Sequence, residues 1–339
     1  MATDLSATIA DFARRRILVI GDAIADQFIY GEIGRVSREA PVFILRHEHT
    51  ETAPGGAANC AANLTALGAQ VNLVGVVGTD EPGNALMERL RDAKVDCSGV
   101  VVSPEYRTTT KVRVLAGQTH STRQQVIRID YEAKRGLDAE LRDQLTAYIR
   151  ELAQRADAVI ISDYGYGAAD PSIAETVHEA AANSGTPLLV DSRFRLSSFP
   201  QFTSATPNED ELAKLIGREP ADLAELESAG TELCKRLQYQ ALLITRGGHG
   251  IMLLEPGKAP LHEDAVGPHE PVDVTGAGDT VIATYGLALS SGASFADAAR
   301  LANLAGGIVV MKRGTATVTK QELLASVSEH GLSQPAPTQ

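Results

Sequence analysis

Short runs that are apolar at every position recur along the chain, each closed by small or acidic residues. Ile17-Leu18-Val19-Ile20 stops at Gly21-Asp22, Val159-Ile160-Ile161 at Ser162-Asp163, Leu188-Leu189-Val190 at Asp191, and Leu242-Leu243-Ile244 at Thr245-Arg246-Gly247-Gly248. Residues 71–77 read the same way. Such runs suit strands buried on both faces of a parallel sheet. Between them lie stretches of helical spacing at 54–67, 82–93, 138–154, 171–182, 209–216, 221–237 and 280–289, and a last one, rich in Ala and Gly, at 295–311. Leu67-Gly68 is a helix stop and Pro82 a helix start. Strands alternating with helices predict an α/β fold: a mostly parallel central sheet covered by helices on both faces. Ligands in such folds gather at the carboxyl ends of the strands, where the acidic and Gly-rich loops fall here.

Two stretches break that pattern. Lys111-Val112-Arg113-Val114-Leu115 and Gln125-Val126-Ile127-Arg128-Ile129-Asp130 alternate polar and apolar around residues 117–123. This predicts a hairpin with one dry face and one carrying Lys111, Arg113 and Arg128. Residues 27–49 read as two extended pieces around a polar loop, 34–41. Half-exposed strands do not belong in a doubly covered sheet, so both stretches are expected to form a small separate sheet.

Composition narrows the functional classes. A net charge of −12 argues against nucleic acid as the main partner, because phosphate-backbone binding runs on excess Lys and Arg. Cys60, Cys97 and Cys234 form no CxxC pair and read as small apolar residues in a reducing compartment. No run is long and apolar enough for a bilayer, and the first residues lack a signal-peptide core, so a cytoplasmic location without membrane attachment is expected. Histidines have no metal spacing, which argues against zinc.

The densest chemistry lies in Asp273-Val274-Thr275-Gly276-Ala277-Gly278-Asp279, ahead of a small-residue helix. Small residues at a helix start let unpaired backbone N–H groups face an anion. An acid at the end of that nest is placed to accept a proton beside the anion, the division of labour that phosphoryl transfer needs. An N-capping Asp in an ordinary glycine loop is the plainer reading. Pro54-Gly55-Gly56-Ala57-Ala58-Asn59 likewise serves either close approach of a ligand or close packing of a helix. Gly21-Asp22-Ala23-Ile24-Ala25-Asp26 lacks the spaced glycines of a dinucleotide fold.

Three motifs in one order, Gly55-Gly56 with Asn59, then Asn208 with Glu211, then Asp273 to Asp279, resemble the PfkB/ribokinase family of carbohydrate kinases over nearly the whole chain. The resemblance implies a ribokinase-like fold in a single domain at 1–332, with lid segments at about 27–50 and 107–130 and a flexible tail at 333–339. It implies Asp279 as general base and the N–H groups of Gly276, Ala277 and Gly278 as the anion hole. Asn208 and Glu211 would hold Mg²⁺, mainly through water. Thr245, Gly248, Gly250, Thr275, Ala305 and Gly306 would join Asn208 around ATP. Asp26, Gly55, Gly56 and Asn59 would hold the sugar, and the lid would form a homodimer clasp, as in many members.

Within the family, Gly21-Asp22 with Asp26, Arg35-Val36-Ser37 with Glu39-Ala40-Pro41, Pro54 to Asn59, and Gln124 to Asp130 resemble heptose 7-phosphate kinases. These phosphorylate the anomeric hydroxyl of D-glycero-D-manno-heptose 7-phosphate. Arg35, Arg38, Lys111, Arg113 and Arg128 are then candidates for the sugar's phosphate, or else a solvated strand face. Arg38, Tyr166 and Ser192-Arg193 depart from that subgroup's pattern. A kinase for ribose, fructose or a nucleoside is the next reading, and a non-catalytic relative a more distant one. The end of the chain soon after the last motif leaves no room for the adenylyltransferase domain often fused to such kinases.

Overall fold

The computed structural model describes residues 5–117, 123–132, 136–181, 185–267 and 270–332. The tail at 333–339 and the hairpin turn at 118–122 lie outside them. Its strands, in chain order, are β1 (Arg16–Gly21), β2 (Ala23–Val36), β3 (Phe43–Gly56), β4 (Gln70–Gly78), β5 (Asp96–Ser103), β6 (Thr110–Gly117), β7 (Gln124–Tyr131), β8 (Ala158–Asp163), β9 (Leu188–Ser192), β10 (Ser204–Ala205), β11 (Ala241–Thr245), β12 (Ile251–Leu254) and β13 (Leu261–Glu263). The helices are α1 (Leu5–Asp11), α2 (Ala57–Ala66), α3 (Glu81–Asp92), α4 (Ala139–Ala153), α5 (Pro171–Ala181), α6 (Glu209–Ile216), α7 (Leu223–Arg236), α8 (Ala277–Ser290), α9 (Phe295–Val309) and α10 (Lys320–Glu329).

A nine-stranded sheet runs β13-β12-β11-β10-β9-β8-β1-β4-β5, parallel from β11 to β5, with β12 and β13 antiparallel at one edge. The fully apolar strands behave as their composition demands. Ile17 and Val19 pack in one core with residues of α2, α8 and α9; Leu18 and Ile20 pack in the other with α4, α5 and α7. Successive side chains of one strand thus enter opposite layers. The ribokinase-like arrangement expected from the sequence is present.

A second, four-stranded sheet runs β3-β2-β6-β7. β2 begins one residue after β1 ends, so Asp22 alone joins the two sheets on that side. Lys111, Arg113 and Arg128 do share a face, since Arg113 pairs directly with Arg128. The burial differs from the expected hairpin. Lys111 and Arg113 are covered, whereas β7 is exposed along its whole length, Ile127 and Ile129 included. β7 is an outer strand with no layer above it, so its apolar positions meet solvent.

Several elements escaped the sequence pattern. β5, β10, β12, β13, α1 and α10 were not predicted, and the helix at 295–311 is followed by α10 rather than being the last. β5 has only a three-residue apolar core beside Ser98 and Gly99. α10 carried a readable signal: Thr319 and Glu322 form a capping box, each side chain bonding the other's backbone N–H. Cys60 and Cys234 are buried and Cys97 half-buried, all as free thiols. Among the described residues no helix is long and apolar enough to cross a membrane.

Candidate active site

Asp279 sits in the first turn of α8 and is only 2% exposed. Its Oδ2 accepts from the Asn59 amide at 2.9 Å and its Oδ1 from the Tyr164 hydroxyl at 2.9 Å. Burial pushes its carboxyl up to about 6, against the pull of those two donors; Asp26 nearby adds to the rise and Lys111 opposes it. An acid poised there is ionised at neutral pH yet basic enough to take a proton.

The nest ahead of it has the expected geometry with one change. Gly276 caps α8 at φ 79°, and a Cβ there would lie 2.4 Å from the Asn59 amide nitrogen. Only glycine meets both demands. The N–H of Ala277, however, donates to the Val274 carbonyl at 3.2 Å. Among the described residues the N–H groups of Gly276 and Gly278 make no such backbone bond.

The paired glycines of β3 serve close approach. A Cβ on Gly55 would meet the Asp26 carboxylate at 2.4 Å, and Gly56, at φ 57°, would meet the Asp22 carbonyl at 2.6 Å. They let β2 lie against the entrance to α2 with Asp26 folded over them. Asp26 is 4% exposed and pairs with Arg113 at 2.6 Å. Burial holds its carboxyl above the ordinary value even so, with Arg113, Lys111 and Arg128 pulling it down. Lys111, 7% exposed, makes no ion pair among the described residues; its Nζ lies 5.0 Å from the Tyr164 ring centre and 5.9 Å from that of Tyr166. Burial lowers its pKa. Arg128 bonds Asp130 through two nitrogens at 2.9 Å and is half exposed. Arg35 and Arg38 are not brought to the site. Arg35 is exposed near the outer end of β2, about 30 Å along the strand from Asp26 at ~3.3 Å per residue.

On the other side of Asp279 opens a cavity of about 690 Å³, the size of a cofactor site. Asn208, Thr245, Gly248, Gly250 and Gly306 line it, as do Ala277 and Gly278, the two residues before Asp279. Two expected members are absent from its wall. Ala305 is fully buried in the core beneath α9, and Gly307 and Asn303 take its place. Thr275 belongs to a turn, its N–H bonded to Asp273 Oδ1 at 2.9 Å.

Asn208 and Glu211 are the capping box of α6: Asn208 Oδ1 accepts from the Glu211 N–H at 2.8 Å, and Glu211 Oε2 from the Asn208 N–H at 3.0 Å. Helix capping thus accounts for their spacing before any metal does. It leaves Oε1 of Glu211 uncommitted. Burial raises the Glu211 carboxyl, and Asp191 alongside is raised well above its ordinary range by burial, then by Glu211 and Asp279. Crowded acids of this kind fit a divalent cation. Among the described residues no three ligating side chains converge into a ready-made cage, which suits a metal held through water and phosphate oxygens.

Sequence reasoning missed Tyr164 as a partner of Asp279. It also missed Asp22, whose buried carboxylate accepts the N–H groups of Tyr164 (2.9 Å), Tyr166 (3.0 Å) and Ala168 (2.9 Å). Of the residues that depart from the heptose-kinase pattern, Tyr166 donates to Glu132 at 2.9 Å, Ser192 to Asp163 at 2.6 Å, and Arg193 lies 5.3 Å from the Tyr164 ring centre.

Asp279 is thus a buried carboxylate one residue beyond the Ala277-Gly278 wall of that cavity. The profile of the pfkB family carbohydrate kinases matches residues 14–322, and the chain belongs to that family. It is 40% identical over 324 residues to the bifunctional protein HldE of Photobacterium profundum, covering 94% of this chain and 65% of that one. It is 42% identical over 322 residues to the bifunctional protein HldE of Caulobacter vibrioides, covering 94% and 64%. The chain therefore spans just under two thirds of the length of these relatives. Among solved structures, Arabidopsis thaliana ribokinase complexed with ribose and ATP aligns with a TM-score of 0.71 at 22% identity, over 92% of this chain and 98% of that one. Escherichia coli phosphofructokinase-2 in complex with substrates and products aligns with a TM-score of 0.76 at 18% identity, over 93% and 99%. At such identities the likeness is one of fold.

Proposed function

We propose that this kinase moves the γ-phosphoryl of ATP to the anomeric hydroxyl of D-glycero-D-manno-heptose 7-phosphate. The observation that carries the transfer is Asp279: a buried carboxylate raised to about 6, at a helix start whose Ala277 and Gly278 line the cavity. The base takes the acceptor proton as the sugar oxygen attacks, and Gly276 and Gly278 stabilise charge on the moving phosphoryl group. ATP lies along Asn208, Thr245, Gly248, Gly250 and Gly306. Glu211 beside Asn208 would hold Mg²⁺, which would supply positive charge against the ATP phosphates. Asp26 and Asn59, backed by Gly55 and Gly56, hold sugar hydroxyls.

The heptose phosphate is supported by the subgroup motifs, by the HldE relatives and by the cations over the acceptor side. Arg113 is committed to Asp26 and Arg128 to Asp130, which leaves Lys111 with an uncommitted charge facing the site. A desolvated ammonium of this kind favours a phosphate over a hydroxyl. The small sheet is the lid of a single kinase domain, and a second copy of the chain covers its outer face, where Phe43, Ile127 and Ile129 stand exposed. A screen of neutral sugars against sugar phosphates, read by ADP release, tests the substrate. Preference for ribose or fructose would replace heptose phosphate by the family's neutral-sugar chemistry.

A further inference from the structure

The two donors on Asp279 are not equivalent. The Asn59 amide is oriented from its far side. The Val318 N–H donates to Asn63 Oδ1 at 3.2 Å, and the Asn63 amide nitrogen donates to Asn59 Oδ1 at 3.1 Å. A backbone donor therefore fixes both amides and turns the Asn59 nitrogen to Asp279 Oδ2. An amide NH₂ cannot accept, so a proton placed on Oδ2 would face another N–H. A phenol oxygen both donates and accepts. Tyr164 can donate to Oδ1 while Asp279 is charged, then turn its O–H and accept from Oδ1–H.

Delivery of this hydroxyl is built into the fold. The loop that carries it is wrapped around the Asp22 carboxylate by three N–H bonds. Lys111 and Arg193 lie 5.0 and 5.3 Å from its ring centre. Other buried phenols in this protein satisfy themselves on structural groups: Tyr239 on the Phe199 carbonyl at 2.9 Å, Tyr285 on the Ser204 hydroxyl at 3.1 Å. Tyr164 spends its hydroxyl on the base.

We propose that Tyr164 is a positioning residue for Asp279, holding the carboxylate by a hydrogen bond to Oδ1 and making Oδ1 the oxygen that takes the acceptor's proton. The inference rests on Asp279 being the base. In the step, the acceptor O–H breaks and its proton goes to Oδ1. Its oxygen bonds the γ-phosphorus as the bond from that phosphorus to the ADP oxygen breaks. Asp26, Lys111, Asp191 and Cys60 also face the carboxyl from β2, β6, β9 and α2, and none of them changes in the test variants.

The first measurement needs no sugar: carbon-13 NMR titration of aspartate carboxyls in the full chain, with Asp279→Asn to assign the resonance. Tyr164→Phe removes a donor to the charged form, so the midpoint should rise by about one pH unit. Incorporating 3-fluorotyrosine at position 164 keeps the ring, strengthens the donor and should lower the midpoint. A midpoint that neither change moves overturns the proposal. The second measurement uses whichever sugar the protein phosphorylates. Tyr164→Phe should lose about tenfold more in kcat/KM below pH 6 than above pH 8, with KM for ATP unchanged. A loss equal at every pH marks a merely structural tyrosine and overturns it too. An active Asp279→Asn would instead sink the base assignment, and a different sugar would leave the titration readable.

Discussion

The two sheets of this kinase come from one chain and are finished differently. In the nine-stranded sheet, neighbouring side chains such as Leu18 and Val19 enter two separate cores. In the four-stranded sheet, β7 exposes all of its residues and the apolar side chains of Phe43, Ile127 and Ile129 have no cover. The chemistry divides along the same line. Asp279, Glu211 and the cavity belong to loops and helix starts anchored on the doubly buried sheet, while Lys111, Arg113 and Arg128 arrive on the sheet with one open side. On the proposed function, the groups that must keep their geometry lie on the doubly covered layer, and those proposed to select the substrate lie on the open one.

The comparison breaks first at Asp279. Asp279→Asn should lower kcat by roughly 10²–10⁴-fold while ATP binding, measured by calorimetry, stays largely intact. Near-normal turnover would remove the large sheet's claim to the chemistry. Next comes the packing contrast. Ile160→Ala, at a fully buried position of β8 beside α8, should cost about 2–5 kcal/mol in chemical denaturation. Ile129→Ala, 41% exposed on β7, should cost under about 0.5 kcal/mol in a monomer. A large Ile129 effect that grows with protein concentration would show that a second copy completes the small sheet.

Lys111→Ala sharpens the division further. Removing a desolvated cation should cost roughly tenfold in kcat/KM for a phosphorylated sugar and little for a neutral analogue. Equal losses on both would tie Lys111 to the reacting centre instead. The last effect is on how stability varies with pH. Folded Asp279 keeps its proton up to about pH 6, whereas the ordinary carboxyl releases it near 3.8. Folding therefore takes up a proton between those values, and the native state loses stability as pH rises through that window. Asp279→Asn should flatten this slope in urea midpoints measured from pH 4 to 7.

The parts legible in the sequence were those with redundant local signals. Apolar runs ending in Asp or Gly located β1, β8, β9 and β11, and alternation located β6 and β7. What failed depends on neighbours far along the chain. Nothing in Tyr164 says that its hydroxyl meets an acid 115 residues later. Alternation placed Lys111 and Arg113 on one face but could not tell that this face is covered by Asp26 and the Tyr164 loop. Arg35 shows the reverse: basic and near Asp26 in sequence, it is carried away because β2 stays extended for fourteen residues. Asn208 and Glu211 show a third case, in which the spacing that suggests a metal site is also that of the helix cap they form.

The junction at Asp22 has a mechanical consequence. β2 leaves it as an arm of ~45 Å at ~3.3 Å per residue, with pairing irregularities at Tyr30/Gly31 and Ile33/Arg35. Because distance from a pivot scales displacement, a tilt of about ten degrees there would sweep the tip near Val36 through ~8 Å while Asp26, four residues out, travels only ~2 Å. The same carboxylate that sits at the pivot also grips the backbone carrying Tyr164. Were the small sheet to tilt about that junction, a wide swing at its far end would reach Asp26 as a fine adjustment.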